Sequence, residues 1–270
     1  MTVVGERPAI RFERRGAALW VWIDREERRN ALNPAVIAGI GEAVNLAQAD
    51  ASIRAIVLTG VGERAFCAGA DLSVGTSTFQ AAPDEPTTDF GRLARLVRTC
   101  GVPIVARVNG ACVAGGMGLM ALCDIAIAAD HARFGLPEVK IGVFPMQVLV
   151  FLRAMIGSRH LNELCLTGEL ITAARAAEIG LINRVAPPGE LDAAIEALLK
   201  TLSAASPVAT KRGKQVVFAM EMMAFPEALA FAEAQIAVAS RSSDAEEGLA
   251  AFNTKRPPKW LTDSGTDGDV

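Results

Sequence analysis

Three short runs, residues 55–59, 103–108 and 125–128, are apolar at nearly every consecutive position rather than at alternate ones. A strand of that pattern is buried on both faces, as in a parallel sheet covered by helices. Between the first two strand signals and the hairpin before them lies a helix signal: Asn33 and Pro34 supply an N-cap and a first-turn proline, and Ile37, Ile40, Val44 and Ala47 recur at helical spacing toward Asp50. Strands alternating with helices predict an α/β architecture. Residues 10–14 and 18–23 add a hairpin turned at Gly16. Residues 73–88 are rich in Ser, Thr, Gly, Pro and Ala without periodicity, and they read as a lid-like loop. From Pro187 onward four helical patterns replace the strand signals, the last opened by a Ser243/Glu246 capping box. Residues 263–270 are small and polar and are expected to be disordered.

Composition removes several classes of function. Lys and Arg number 27 against 30 Asp and Glu, a formal net charge of -3, which offers no footprint for nucleic acid. The five cysteines, Cys67, Cys100, Cys112, Cys123 and Cys165, form no CxxC pair and read as reduced, buried thiols. Residues 1–6 lack the charged start of a signal peptide, and the apolar run 111–123 is broken by glycines and too short for a bilayer. A cytoplasmic protein without membrane association is expected. His131 and His160 lie in no H-E-x-x-H, G-x-S-x-G or Cys-His context, so neither a metal site nor serine hydrolysis is expected.

Three segments carry chemistry. In Ala65-Phe66-Cys67-Ala68-Gly69-Ala70-Asp71-Leu72 a strand runs into small residues before an acid that ordinarily caps a helix. In Val108-Asn109-Gly110-Ala111-Cys112-Val113-Ala114-Gly115-Gly116-Met117-Gly118 a buried strand feeds a glycine-rich loop that opens a helix. Helix starts present unpaired N–H donors, which a developing oxyanion needs. An isolated loop of this kind is more often a tight turn, and its spacing matches neither G-x-G-x-x-G nor a P-loop. In Phe134-Gly135-Leu136-Pro137-Glu138-Val139-Lys140-Ile141-Gly142 a lone carboxylate sits among apolar residues. Burial would raise its pKa toward the range useful for proton transfer, whereas pairing with Lys140 would make it an ordinary surface glutamate.

Taken with Arg29-Asn30-Ala31-Leu32-Asn33, these segments closely resemble, in order and spacing, the crotonase or enoyl-CoA hydratase/isomerase superfamily. Thr167-Gly168-Glu169, residues 174–185, Glu247-Gly248-Leu249 and Ala251-Phe252-Asn253-Thr254-Lys255-Arg256 extend the resemblance over residues 8–260. It implies a crotonase-like spiral of repeated strand-strand-helix turns over residues 1–200, which holds an acyl-CoA site, and a helical trimerisation region over residues 201–270. The implied assembly is a homotrimer or a dimer of trimers. The resemblance makes the N–H groups of Ala70 and Gly115 an oxyanion hole for a thioester and Glu138 the proton-transfer residue. It places Ala31, Leu32, Ala68 and Leu72 along the coenzyme A pocket, with Asp71 and Gly116 beside them. Arg29, Lys255 and Arg256 would meet the phosphates, the last two from a neighbouring subunit. Coenzyme A would enter as part of the substrate, with no separate cofactor.

Hydratases of the family carry a second glutamate where this chain has Gly118, so the pair that holds and splits water is incomplete. The family's isomerases keep the one matching Glu138. The aspartate of dienoyl-CoA isomerases is replaced by Met146. The implied function is an enoyl-CoA hydratase or isomerase of fatty-acid or related acyl-CoA metabolism, with isomerisation favoured on mechanism. The alternative is a non-catalytic or weakly active paralogue that binds acyl-CoA or a protein, and the intact Glu138 argues against it.

Overall fold

A computed structural model describes residues 8–80 and 87–262. The chain opens with the expected hairpin, β1 (Ile10–Arg15) and β2 (Ala18–Ile23), with Gly16 in the turn at φ 54°. Helix α1 (Pro34–Ala49) follows, and the Asn33 side chain caps it by accepting the Val36 N–H at 2.9 Å. The chain then repeats one unit: β3 (Ala55–Gly60), β4 (Ala65–Cys67) and α2 (Asp89–Thr99); β5 (Ile104–Val108), β6 (Ala111–Val113) and α3 (Gly115–Ala121). The third unit is β7 (Ile125–Ala129), β8 (Arg133–Gly135), a 3-10 turn at Pro137–Ile141 and α4 (Met146–Leu152). Helix α5 (Ser158–Thr167), β9 (Ile171–Thr172), α6 (Ala173–Glu178) and β10 (Arg184–Ala186) lead to the helices α7 (Leu191–Ala204), α8 (Pro207–Met220), α9 (Phe225–Ala239), α10 (Ser243–Thr254) and α11 (Lys259–Thr262).

Each repeat gives its first strand to a six-stranded sheet, β1-β2-β3-β5-β7-β10, and its second to a four-stranded sheet, β4-β6-β8-β9. Pairing is parallel except between β1 and β2 and between β8 and β9. Register advances without slippage from turn to turn of the larger sheet, Val57 against Val105 and Ala106 against Ala126. The consecutive apolar residues of β3, β5 and β7 now have a physical cause. Ile56, Leu58, Ile104, Ala106, Ala126 and Ala128 face the main core with Phe66, Met117 and Phe134. The intervening Val57, Val105 and Ile127 face a second cluster closed by Trp20 and by Leu191, Ile195 and Leu198 of α7. Helices α8 and α9, in contrast, have no buried residue.

Two local expectations are corrected. Residues 73–79 of the expected loop belong instead to 3-10 turns over Leu72–Phe79, kinked at Gly75, and Thr88 caps α2 by accepting the Gly91 N–H. Residues 81–86 of that loop and the tail 263–270 lie outside the described residues. The cap of α10 is Ser242, which accepts the Ala245 N–H at 3.2 Å, so the Ser243/Glu246 box does not form. The hydroxyl one residue earlier sits outside the helix, where an N-cap must be. Among the described residues no helix is long and apolar enough to cross a membrane.

Candidate active site

Two backbone segments far apart in sequence are zipped together at the site. Ala68 N–H donates to the Arg29 carbonyl at 3.1 Å, Leu32 N–H to Gly69 at 2.8 Å, and Asp71 N–H to Leu32 at 2.8 Å. Leu32 therefore bridges Ala70 in parallel fashion, bonded to the residues on either side of it. That pattern turns the N–H of Ala70 away from Leu32. On the neighbouring loop Gly115 opens α3, where no intrahelical acceptor exists for its N–H. Neither N–H donates to a protein acceptor among the described residues.

The two donor loops touch. A Cβ on Gly69, at φ 91°, would lie 2.7 Å from the Ala114 Cβ and 3.1 Å from the Gly115 nitrogen. A Cβ on Gly116 would come within 2.2 Å of the Cys67 carbonyl oxygen. Glycine at 69 and 116 is thus a packing requirement. Gly115 differs, because a Cβ there would sit 3.5 Å from the Ala70 nitrogen in ordinary contact. Ala114 adopts φ 51°, ψ -129°, a costly conformation for a residue with a side chain, of a kind that clusters at functional sites.

Glu138 enters from the 3-10 turn after β8, and its loop is fastened to the donor loop by the Ala114 N–H to Gly135 carbonyl bond at 3.0 Å. Its side chain is buried, and Oε2 has no hydrogen-bond partner among the described residues. Loss of solvation raises its pKa above the ordinary glutamate value, offset in part by its own backbone N–H. Cys165 on α5 is close enough for the Glu138 charge to add to the burial that pushes its thiol to about 11. Lys140, the surface partner considered from sequence, pairs instead with Glu169 at 2.7 Å.

Gly118 is buried in α3, and the volume above it is already taken. A Cβ there would lie 3.0 Å from Phe90 Cζ on α2 and 3.1 Å from Val148 Cγ2 on α4. Phe90 meets Phe151 edge-on at 6.3 Å, and Gln147 Nε2 donates to Thr88 Oγ1 at 2.6 Å, so α2 and α4 are held together over this position.

The remaining expected site residues fall into two groups. Ala31 and Leu32 are buried, Ala68 is half-buried, Leu72 is exposed, and all lie on or beside the zipped segments. Arg29 is exposed in a left-handed backbone conformation beside them. Asp71 is engaged by Arg25 Nη2 at 2.8 Å and by the Ser73 N–H at 3.0 Å. Lys255 ends α10 in left-handed geometry, and Arg256 binds both oxygens of Glu247, at 2.5 and 3.0 Å. Helix α10 packs on α8 and α11 on α7, so within this chain Arg256 is committed to Glu247 rather than grouped with Arg29. His131 Nε2 lies 3.2 Å from the carbonyls of Glu63 and Asn109.

Sequence reasoning missed Arg25, Phe90 and Val148, and it assigned no task to Asn30 and Asn109. Both amides are buried and converge on the first carbonyl of β4: Asn30 Nδ2 reaches Ala65 O at 2.7 Å and Asn109 Nδ2 reaches it at 3.2 Å. They anchor the strand that leads to Ala70. For Asn109 its place in a largely apolar run was the available signal, whereas Asn30 follows the charged residues 25–29 and gave none.

Comparison with known proteins identifies the family. The sequence profile of the enoyl-CoA hydratase/isomerase family matches residues 13–263. A Thermus thermophilus protein assigned to the enoyl-CoA hydratases is 35% identical over 248 residues, 91% of this chain and 98% of that one. The 2,3-dehydroadipyl-CoA hydratase of Escherichia coli is 32% identical over 252 residues, 92% and 96% of the two chains. The crystal structure of an enoyl-CoA hydratase from Mycobacterium smegmatis superposes with a TM-score of 0.88 at 31% identity, covering 94% of this chain and all of that one. The chain belongs to the enoyl-CoA hydratase/isomerase family of the crotonase superfamily.

Proposed function

We propose that this protein is an enzyme acting on an acyl-CoA thioester, and that its reaction is the shift of a double bond from a 3-enoyl to a 2-enoyl position. The observation that carries the reading is the pairing of one buried carboxylate, Glu138, with a position 118 that has no side chain and is closely packed by Phe90 and Val148. Among the described residues Glu138 is the most deeply buried carboxylate, 8% exposed. A Cβ at position 118 would press on Phe90 and Val148 at 3.0 and 3.1 Å, so a longer side chain there would need both to shift.

In this mechanism the thioester oxygen accepts from the Ala70 and Gly115 N–H groups, which act where charge develops. Glu138 takes the C2 proton, and the C–H electron pair delocalises through the carbonyl to give a dienolate. Glu138 then delivers the proton to C4 as the former C3–C4 π pair forms the new C–H bond. The C2–C3 double bond and the carbonyl are restored, with no net change of oxidation state. A carboxyl with a raised pKa exchanges a proton with carbon more readily than an ordinary carboxylate.

Hydration is the second reading, favoured by the relatives that are named as hydratases. It needs water held and activated by a second group, which Gly118 does not provide. Ala31, Leu32, Ala68 and Leu72 form the coenzyme A pocket in this proposal, with Arg29 toward its phosphates. Exposed apolar side chains on α8–α10, among them Val217, Phe225, Ile236 and Phe252, support assembly as a homotrimer or dimer of trimers. Lys255 and Arg256 would then reach the pocket of a neighbouring subunit, in an enzyme of cytoplasmic acyl-CoA metabolism. Incubation with 3-enoyl-CoA and with 2-enoyl-CoA tests the reading. Isomerised product should dominate from the first, and hydration faster than any isomerisation would reject it.

A further inference from the structure

Arg25 and Asp71 are 46 residues apart, yet they meet at the edge of the site: Arg25 Nη2 lies 2.8 Å from Asp71 Oδ2, with side-chain exposures of 15% and 14%. A lone surface pair contributes little. This one is different because both partners are also bonded to the backbone that sets the site. Arg25 Nη1 donates to the Ala31 carbonyl at 2.8 Å, and the Arg25 N–H donates to Asn30 Oδ1 at 3.2 Å. Asp71 Oδ1 accepts the Ser73 N–H at 3.0 Å, while the Asp71 N–H is the rung that holds Leu32 opposite Ala70. Hydrogen bonds from Ser73 and then Arg25 keep the Asp71 carboxyl at about 2, so the pair is intact at any working pH.

The register of this short ladder decides where the Ala70 N–H points. The segment from Gly69 to Asp71 belongs to neither named sheet; an isolated bridge to Leu32 holds it. Two of its rungs end on Leu32, and the ion pair closes the ladder one residue beyond Ala70. A guanidinium fork can hold a carboxylate and a carbonyl at once, whereas an ammonium cannot reproduce both contacts in that geometry.

We infer that the Arg25–Asp71 pair is a positioning device for the Ala70 donor, coupling the segment that carries Ala31 and Leu32 to the polarisation of the substrate carbonyl. Asp71 accordingly acts through Ala70 rather than by touching coenzyme A. This rests on the reading of Ala70 as a thioester-oxygen donor, and it extends that reading to side chains.

The test uses the full chain and unreactive hexanoyl-CoA labelled with 13C at the carbonyl, whose bound C=O stretch is read by isotope-edited infrared spectroscopy. In the wild type the stretch should fall on binding. Asp71→Asn, which turns a donor toward Arg25 or Ser73, and Arg25→Lys, which breaks the fork, should each return at least half of that fall. The double variant should return no more than the worse single one, because the two act as a unit. Turnover should drop roughly 10-fold or more with KM within about 3-fold, the mark of an interaction made mainly in the transition state. If either variant fails to fold, the other decides. A full frequency fall in a folded single variant overturns the positioning role and leaves the oxyanion hole standing. No fall in the bound wild type overturns the oxyanion reading itself and this inference with it.

Discussion

The backbone N–H of Ala114 donates to the carbonyl of Gly135 at 3.0 Å, and that bond joins the loop opening α3 to the loop carrying Glu138. The proposed donor, Gly115, and the proposed base, Glu138, thus follow adjacent strands, β6 and β8, whose pairing of Val113 with Gly135 ends just short of both. A rigid scaffold of this kind fixes the base relative to the donors without a side-chain contact between them.

Gly115 and Gly116 should respond in opposite ways to one methyl group. Gly115→Ala places a Cβ in ordinary contact, 3.5 Å from the Ala70 nitrogen, so the protein should fold with nearly unchanged stability. The methyl leaves the Gly115 N–H in place but stands beside the Ala70 nitrogen, so turnover should fall, by less than the roughly 10²–10³-fold that removal of one such donor costs. Gly116→Ala forces a Cβ to 2.2 Å from the Cys67 carbonyl oxygen and should instead lower the unfolding midpoint sharply. Thermal denaturation beside a rate assay separates the two.

Gly118→Glu should not by itself create a hydratase. Its Cβ would press on Phe90 and Val148 at 3.0 and 3.1 Å, and its charge would be buried without a partner, at a cost of about 1–3 kcal/mol for overpacking alone. Combined with Phe90→Ala the same change gains room for the carboxylate and for water. The double variant should hydrate 2-enoyl-CoA measurably faster than either single variant, as product analysis will show.

The pH dependence follows from Glu138. Its pKa in the folded protein lies above the unfolded value of 4.5 because burial disfavours the anion. The unfolded chain therefore binds fewer protons than the folded one between those two values, and stability falls as pH rises through that window. Above it the buried anion imposes its full penalty. Glu138→Gln should remove this slope, and denaturant unfolding at acid and neutral pH should show the variant gaining on the wild type as pH rises. Activity should move oppositely, with kcat/KM rising as Glu138 deprotonates above the usual carboxylate range.

Much of the fold was legible because burial on two faces leaves consecutive apolar residues in β3, β5 and β7, and because Asn33 and Pro34 mark a helix start chemically. That the segments holding Ala70, Gly115 and Glu138 are strand-to-turn junctions was legible as local motifs, while their proposed roles await the assays. What was not legible depends on contacts between distant segments. Nothing within either segment says that Arg25 will meet Asp71, or that Phe90 and Val148 will converge over Gly118. The capping hydroxyl of α10 was misplaced by one residue because Ser242 and Ser243 are chemically equal, and only backbone geometry distinguishes them.

The central claim is that one carboxylate in an apolar setting carries the same proton from C2 to C4. It is tested most directly with 3-enoyl-CoA deuterated at C2, by measuring deuterium at C4 of the 2-enoyl product in ordinary water at low conversion. Glu138, shielded from solvent and alone, should deliver a substantial fraction of the label to C4, and Glu138→Gln should slow the reaction by at least ~10²-fold. Product free of C4 deuterium from the earliest turnovers, formed at an undiminished rate by the glutamine variant, would contradict the account.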